Sequence, residues 1–395
     1  MTAARVQNRP TFERKEVEGM KKGWITWVVA AAAAVTLTVG FGAASAAPKK
    51  TAGATNITLQ LKWVPQAQFA GYYAAVKEGF YAKEGLNVTL KNGGPDIVPE
   101  TVVASNQAQF GVDWLPSLLA ARDKGTDLVN VAQVFARSGM TQLTWKSSGI
   151  KTIAGMKGKK VGNWLGGNQY ELFAALTKNG IDPNNKSDVT IVQQPFTMDL
   201  FLKGQIDSAS AMTYNELAQV LESTNPKTGK LYTLADLNVI KMQDAGTGML
   251  EDGLFTNGSW LKGSTNGIAN STLAIRFVKA SLEGWIYCRD HAASCVNITL
   301  GYGPTLPKGH QTWQMNEINK LIWPADSAGI GVMDAAAFNQ TASIAKQFGV
   351  ISKAPSGAYT TTYAAKAVAE LKAAGVDVNG SSWKPATVTL TAGGK

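Results

Sequence analysis

Beyond the first fifty or so residues, short apolar runs of four to eight residues alternate with longer stretches whose apolar positions recur every three or four. The runs at 57–63, 86–91, 109–112 and 128–135 read as strands, and the stretches at 69–78, 98–105 and 115–123 as helices. A second series starts near residue 150, with strands expected at 160–164, 189–192 and 208–212 and helices at 168–179, 198–203 and 215–221. Alternation of this kind implies mostly parallel sheets covered by helices. From 270 to 371 the pattern changes to amphipathic helices at 273–287, 312–323, 335–348 and 363–371, without strands of their own. Helices lacking a sheet have to cover one formed elsewhere in the chain.

The simplest architecture that uses all of this is an α/β fold of two doubly wound lobes around a ligand cleft, completed by C-terminal helices. The first lobe would span 48–145, the second 146–247, and 248–395 would return to finish the first, with passages between lobes at 140–145 and 248–257. At 395 residues the chain is long enough for two such units. Ligands of open α/β sheets bind beyond the carboxyl ends of the strands, so the turns that follow strands carry the information about function.

Residues 1–47 read as an export signal. Met20-Lys21-Lys22 precedes an apolar stretch over 24–41, and the small residues Ala43-Ala44-Ser45-Ala46-Ala47 follow, placing cleavage after Ala46 or Ala47. The stretch is 18 residues long and just reaches spanning length, so a retained anchor is the alternative. Residues 1–19 have the character of an upstream extension, with Met20 the working start. No cysteine follows the apolar run, which excludes the usual lipid anchor and points to a freely diffusing periplasmic monomer.

A net charge of +10 raises the question of nucleic acid, but the basic residues are scattered and form no recognisable binding motif. The two cysteines, Cys288 and Cys295, stand seven residues apart, and an oxidising compartment predicts a local disulfide between them. With His291 between them they offer a structural zinc ion only three ligands, one too few.

The post-strand turns are rich in aromatic and amide side chains. Trp63, Trp114 and Trp164 each stand at the end of an expected strand, and flat rings on opposite lobes suit stacking against a planar heterocycle, at roughly 0.5–1.5 kcal/mol per offset pair beyond the buried area. Tyr214 would add a fourth ring. Asn168 follows Gly166-Gly167 at a helix start, where backbone N–H groups could meet a carbonyl or anion, although a plain turn and cap is the simpler use of such a sequence. Asp113 and Glu251 are candidate acceptors for ring amino groups, and Arg137 a candidate partner for a carbonyl. Glu216, on its helix, reads as a surface or capping group. Catalytic constellations are scarce: the two histidines, His291 and His310, lie in no hydrolase or metalloprotease motif. No cofactor is called for.

The run Leu61-Lys62-Trp63-Val64-Pro65-Gln66-Ala67-Gln68-Phe69-Ala70-Gly71-Tyr72-Tyr73, followed by Glu78-Gly79-Phe80-Tyr81-Ala82-Lys83-Glu84-Gly85-Leu86, resembles the opening of the periplasmic binding proteins related to thiamine-pyrimidine synthases. Val102-Val103-Ala104-Ser105, Ala108-Gln109-Phe110-Gly111-Val112 and Met156-Lys157-Gly158-Lys159-Lys160-Val161-Gly162 extend the similarity over about 57–260. The resemblance implies a type II periplasmic-binding-protein fold that captures a small heteroaromatic compound, such as a thiamine pyrimidine precursor, by lobe closure and delivers it to a membrane ABC permease with its ATPase. Riboflavin and sulfonates are the alternative ligands it implies. Fungal members of the group are enzymes that build the pyrimidine from pyridoxal phosphate and histidine, using a lysine after the third strand and a histidine four residues on. Asp113 and Ser117 occupy those positions here, which argues for binding rather than synthesis.

Overall fold

The apolar runs assemble into ten principal strands that form two five-stranded sheets. The computed structural model describes residues 53–395, and the leader expected over 1–47 lies outside them. The strands are β1 (Thr55–Gln60), β2 (Leu86–Lys91), β3 (Phe110–Trp114), β4 (Leu128–Gln133), β5 (Met140–Trp145), β6 (Lys160–Asn163), β7 (Thr190–Gln193), β8 (Ser208–Met212), β9 (Leu237–Lys241) and β10 (Asp252–Asn257). The first sheet runs β2-β1-β3-β10-β4 and the second β7-β6-β8-β5-β9. In each, three neighbouring strands are parallel and the fourth position holds an antiparallel strand: β10 between β3 and β4, β5 between β8 and β9. Burial explains the sequence pattern, since β3 and β8 are buried along their whole length, as parallel central strands covered on both faces are.

The two passages differ from expectation. Met140–Trp145 is not a connector closing the first lobe at 145 but the antiparallel strand of the second sheet, so the crossing lies at 134–139. Asp252–Asn257 is likewise a strand of the first sheet rather than part of the return passage, which ends by 251. An inserted antiparallel strand has no helix before it to announce it, and six residues of mixed polarity look like a linker until their neighbours are known. Strand β9 and the helix Ala292–Tyr302 also escaped the pattern. By contrast β2, β8 and the helix Leu115–Asp123 fall where their periodicity places them.

The C-terminal helices complete the first lobe. Helix Asn270–Asp290 packs along helix Ala70–Lys77 and receives helix Thr362–Ala373 on another face. Trp285 is fully buried, edge-on to Tyr72 at 5.6 Å and to Phe135 at 5.8 Å between ring centroids. The helices approach closely because both carry glycine at the crossing. A Cβ on Gly284 would lie 2.0 Å from the Gly71 carbonyl oxygen, and one on Gly71 would lie 2.2 Å from the Trp285 ring. Cys288 and Cys295 form the expected disulfide, with Cα atoms 5.4 Å apart, joining the last turn of Asn270–Asp290 to the helix that follows. Both sulfurs are thereby taken from any metal, and His291 leans on the Tyr287 ring instead, at 4.6 Å. Among the described residues no helix is long and apolar enough to cross a membrane.

The glycine contact yields a stability test. Gly284→Ala drives a methyl group into the Gly71 carbonyl and Ala75 of the facing helix, a change that costs about 1–3 kcal/mol, so its denaturation midpoint should fall well below the parent's. An unchanged midpoint would mean that the two helices separate freely.

Candidate functional site

The turns that follow β1, β3, β6, β7 and β8 converge between the lobes around a narrow cavity of about 30 Å³. It is lined by Trp63, Gln66, Gln68 and Trp114 from the first lobe and by Trp164, Asn168, Phe196, Met212, Tyr214, Asn215 and Glu216 from the second. Trp63, from the loop after β1, meets Phe196, from the turn after β7, edge to face at 5.1 Å. Trp114 is the last residue of β3 and is 2% exposed, and Trp164 stands directly after β6 with its indole N–H pointing to the Pro195 carbonyl at 3.4 Å. The lobes touch around the cavity: Ser117 Oγ donates to the Gly167 carbonyl at 2.8 Å, and the Trp313 indole N–H to the Thr213 carbonyl at 3.0 Å.

The polar part of the wall is built in two ways. On the first lobe a chain of amides runs Gln314 to Gln66 to Gln68 to the Asp252 carboxylate, with links of 2.7, 2.9 and 2.9 Å. The Ala67 N–H between them is held by Gln311 and Gln314 from helix Lys308–Ile322. On the second lobe Glu216 accepts from the Met212 N–H at 3.0 Å and from Asn215 Nδ2 at 2.8 Å. Asn168 is 2% exposed, and its Nδ2 has no partner within the protein. A buried amide donor without an acceptor costs about 1–3 kcal/mol, so this one is available to a guest at no loss.

Five of the eight residues singled out from the sequence, Trp63, Trp114, Trp164, Asn168 and Tyr214, line the cavity, and three do not. Asp113 is engaged by Lys62 Nζ at 2.9 Å and by the Trp114 N–H at 2.7 Å, in an ion pair that water hardly reaches. Arg137 reaches across to carbonyls at the end of helix Lys308–Ile322, Leu321 at 3.3 Å and Pro324 at 2.8 Å. Glu251 accepts from the Gly139 and Met140 N–H groups at 2.7 and 3.1 Å, in the passage between lobes. These three side chains are consumed by the fold. The Gly167 N–H is also taken, by Gln169 Oε1 at 2.8 Å, so the turn before helix Tyr170–Lys178 offers no anion cradle there. Gly167 itself has φ +129°, and a Cβ would meet Ser117 Oγ at 2.9 Å, so the turn requires glycine. Sequence reasoning set Glu216 aside as a capping group and passed over Phe196. Both stand just after strands, and a stricter use of the post-strand rule would have found them.

Over residues 66–294 the sequence matches the NMT1/THI5-like family. The chain belongs to that family. A riboflavin-binding protein, RibY, of Chloroflexus aurantiacus is 23% identical to it over 340 residues, spanning 83% of this chain and 91% of that protein. A 4-amino-5-hydroxymethyl-2-methylpyrimidine phosphate synthase of Legionella pneumophila is 28% identical over 140 residues, 35% of this chain and 43% of the synthase. Among solved structures, the alkanesulfonate-binding protein SsuA of Xanthomonas axonopodis superposes with a TM-score of 0.55 at 14% identity, covering 79% of this chain and 99% of the other. The NMT1/THI5-like chain thus has the two-lobed α/β periplasmic-binding-protein fold.

This member of the family keeps several carboxyls out of water. Burial raises Glu216 to about 7, against hydrogen bonds that pull it down, and burial raises Asp252 to about 7 despite its bond from Gln68. Glu171 and Glu251 share the Ser138 hydroxyl, at 2.8 and 3.1 Å, and burial with their mutual repulsion drives Glu251 well upward. Such groups hold protons in the folded chain that the unfolded chain has released by pH 5 or so. The folded state therefore binds more protons, and stability falls as pH rises from about 5 to 8, by at most ~1.4 kcal/mol per pH unit for each group. Denaturant midpoints measured at pH 5, 6.5 and 8 should decline in that order, and Glu216→Gln should flatten the slope. A midpoint that climbs with pH would mean these carboxyls are ionised in the fold.

Proposed function

We propose that the chain is the solute-binding component of an ABC importer, exported to the periplasm, and that its cleft captures a flat, neutral heteroaromatic compound of the size of a thiamine pyrimidine precursor. The observation that carries the reading is the make-up of the cavity wall: aromatic rings from both lobes, amides and one buried carboxyl, with no lysine, arginine or histidine among its lining residues. A sulfonate calls for cationic donors, and Lys62, whose Nζ lies over the Trp63 ring, is tied to Asp113. The unpartnered Asn168 Nδ2 asks for an acceptor such as a ring nitrogen. The names of the relatives, riboflavin-binding on one side and pyrimidine synthase on the other, point to planar nitrogen heterocycles in the same cleft.

Binding rather than synthesis is supported by the residues at the cofactor positions of the fungal enzymes. Asp113 stands where their lysine does and Ser117 where their histidine does, and both are hydrogen-bonded within the fold. Lys62, the lysine nearest by, is raised by its acidic surroundings against the lowering effect of burial, which keeps it protonated and unsuited to form an imine. The residues present do not fit pyridoxal phosphate.

Titration of the intrinsic tryptophan fluorescence with 4-amino-5-hydroxymethyl-2-methylpyrimidine, thiamine, riboflavin and a simple alkanesulfonate tests the reading. Saturable quenching by the aminopyrimidine is expected, with Trp63→Ala and Trp164→Ala each weakening it about tenfold or more, the scale of a lost stacking contact and its area. Saturation by the sulfonate alone would overturn the pocket chemistry, and parental affinity in both variants would end the stacking model.

A further inference from the structure

Asn215 stands at the residue preceding helix Glu216–Leu221, the position where an asparagine side chain ordinarily caps the helix, yet it makes no capping hydrogen bond. Its Oδ1 faces His310 Nε2 at 2.8 Å and also accepts from Gln219 at 3.3 Å, while its Nδ2 donates to Glu216 Oε1 at 2.8 Å. His310 comes from the other lobe, on helix Lys308–Ile322, whose Gln311 and Gln314 hold the Ala67 loop. Its second nitrogen, Nδ1, lies 2.9 Å from Glu222 Oε2 of the second lobe. Both ring nitrogens thus face oxygen atoms. The chain Glu222, His310, Asn215, Glu216 starts at the seam between lobes and ends in the wall of the cavity. His310 and Glu222 are only 7% and 6% exposed, and the tail is folded over them: the Gly393 N–H donates to the Glu222 carbonyl at 3.0 Å, and a Cβ on Gly394 would lie 2.6 Å from His310 Cβ.

We propose that His310 is a positioning residue for ligand capture: when the lobes meet, it docks on Glu222 and Asn215 and, by turning the Asn215 amide, sets the Glu216 carboxyl in the pocket. The polar wall on the second lobe is then completed by the first lobe, so the pocket reaches its full hydrogen-bonding form only in the closed state. The inference rests on the reading of this cavity as the ligand site, but the docking of His310 is a property of the lobes themselves and is measurable without a ligand.

The geometry distinguishes two substitutions of similar polarity. A glutamine at 310 places its amide near the position of Nε2 and keeps the donation to Asn215. An asparagine reaches only the position of Nδ1 and keeps Glu222 alone. Two readouts separate closure from binding. Because the two cysteines of the chain are bonded to each other, a spin-label pair on cysteines introduced at the exposed Ala82 and Lys227 reports the interlobe distance. Fluorescence titration with 4-amino-5-hydroxymethyl-2-methylpyrimidine and with riboflavin reports affinity. His310→Ala should shift the distance distribution toward open and weaken the bound probe about tenfold, the scale of one buried hydrogen bond. His310→Gln should recover most of both, and His310→Asn should not. Parental distances in His310→Ala, or equal behaviour of the glutamine and asparagine variants, would overturn the proposal. If the parent binds neither probe, the assigned ligand class fails, and the distance distributions of the three variants still decide the docking of His310.

Discussion

One oxygen atom, Glu251 Oε1, accepts from the main-chain N–H groups of Gly139 and Met140 and so holds the outgoing and returning passages of the chain side by side. Everything on either side diverges from that point. Met140 opens β5, the fourth strand of the second sheet, while Asp252, the next residue after Glu251, opens β10, the fourth strand of the first. A carboxyl in this place is expensive, because it is fully buried and shares Ser138 with Glu171, and two like charges in a dry site cannot both persist. The proton retained by the pair is what makes the junction tolerable. At this junction the backbone donors of Gly139 and Met140 are held by a side chain as well as by the sheet they lead into.

The same economy runs through the cleft. Lys62 and Asp113 neutralise one another beneath the pocket, and Glu216 and Asp252 are driven toward the neutral form by burial. What remains facing the cavity is a set of rings and amides with little net field. An unpaired donor on Asn168 gives that set a direction.

Much of this was legible in the sequence because parallel strands announce themselves. Short runs with strand-like apolar patterning placed β2 and β8 to the residue, and the rule that function follows strand ends brought Trp63, Trp114, Trp164, Asn168 and Tyr214 together. The rule failed where a side chain's partner is remote in the chain. Asp113 reads as a cleft acceptor until Lys62 is found beside it, Arg137 as a ligand clamp until the carbonyls of Leu321 and Pro324 are seen, and Glu251 as a pocket acid until its backbone donors are. The antiparallel strands β5 and β10 failed for a related reason: their strand character comes from neighbours and not from a local period. Phe196 lies three residues beyond the end of β7, a strand the pattern did place, and was missed because only the residues immediately after each strand were weighed.

The place of β10 also sets an order of events for a newly made chain. Strand β4 has no sheet neighbour among the earlier strands; it pairs with β10 and touches residues 331 and 359 by isolated bridges, all of them later in the sequence. The second sheet, by contrast, is drawn from one uninterrupted stretch, 140–241. As synthesis proceeds, the inner lobe can close its sheet while the outer one still waits with an unpaired strand for a segment more than a hundred residues downstream. Late, long-range pairings of this kind are slow to form. The lobe that begins the chain is therefore the last to be finished.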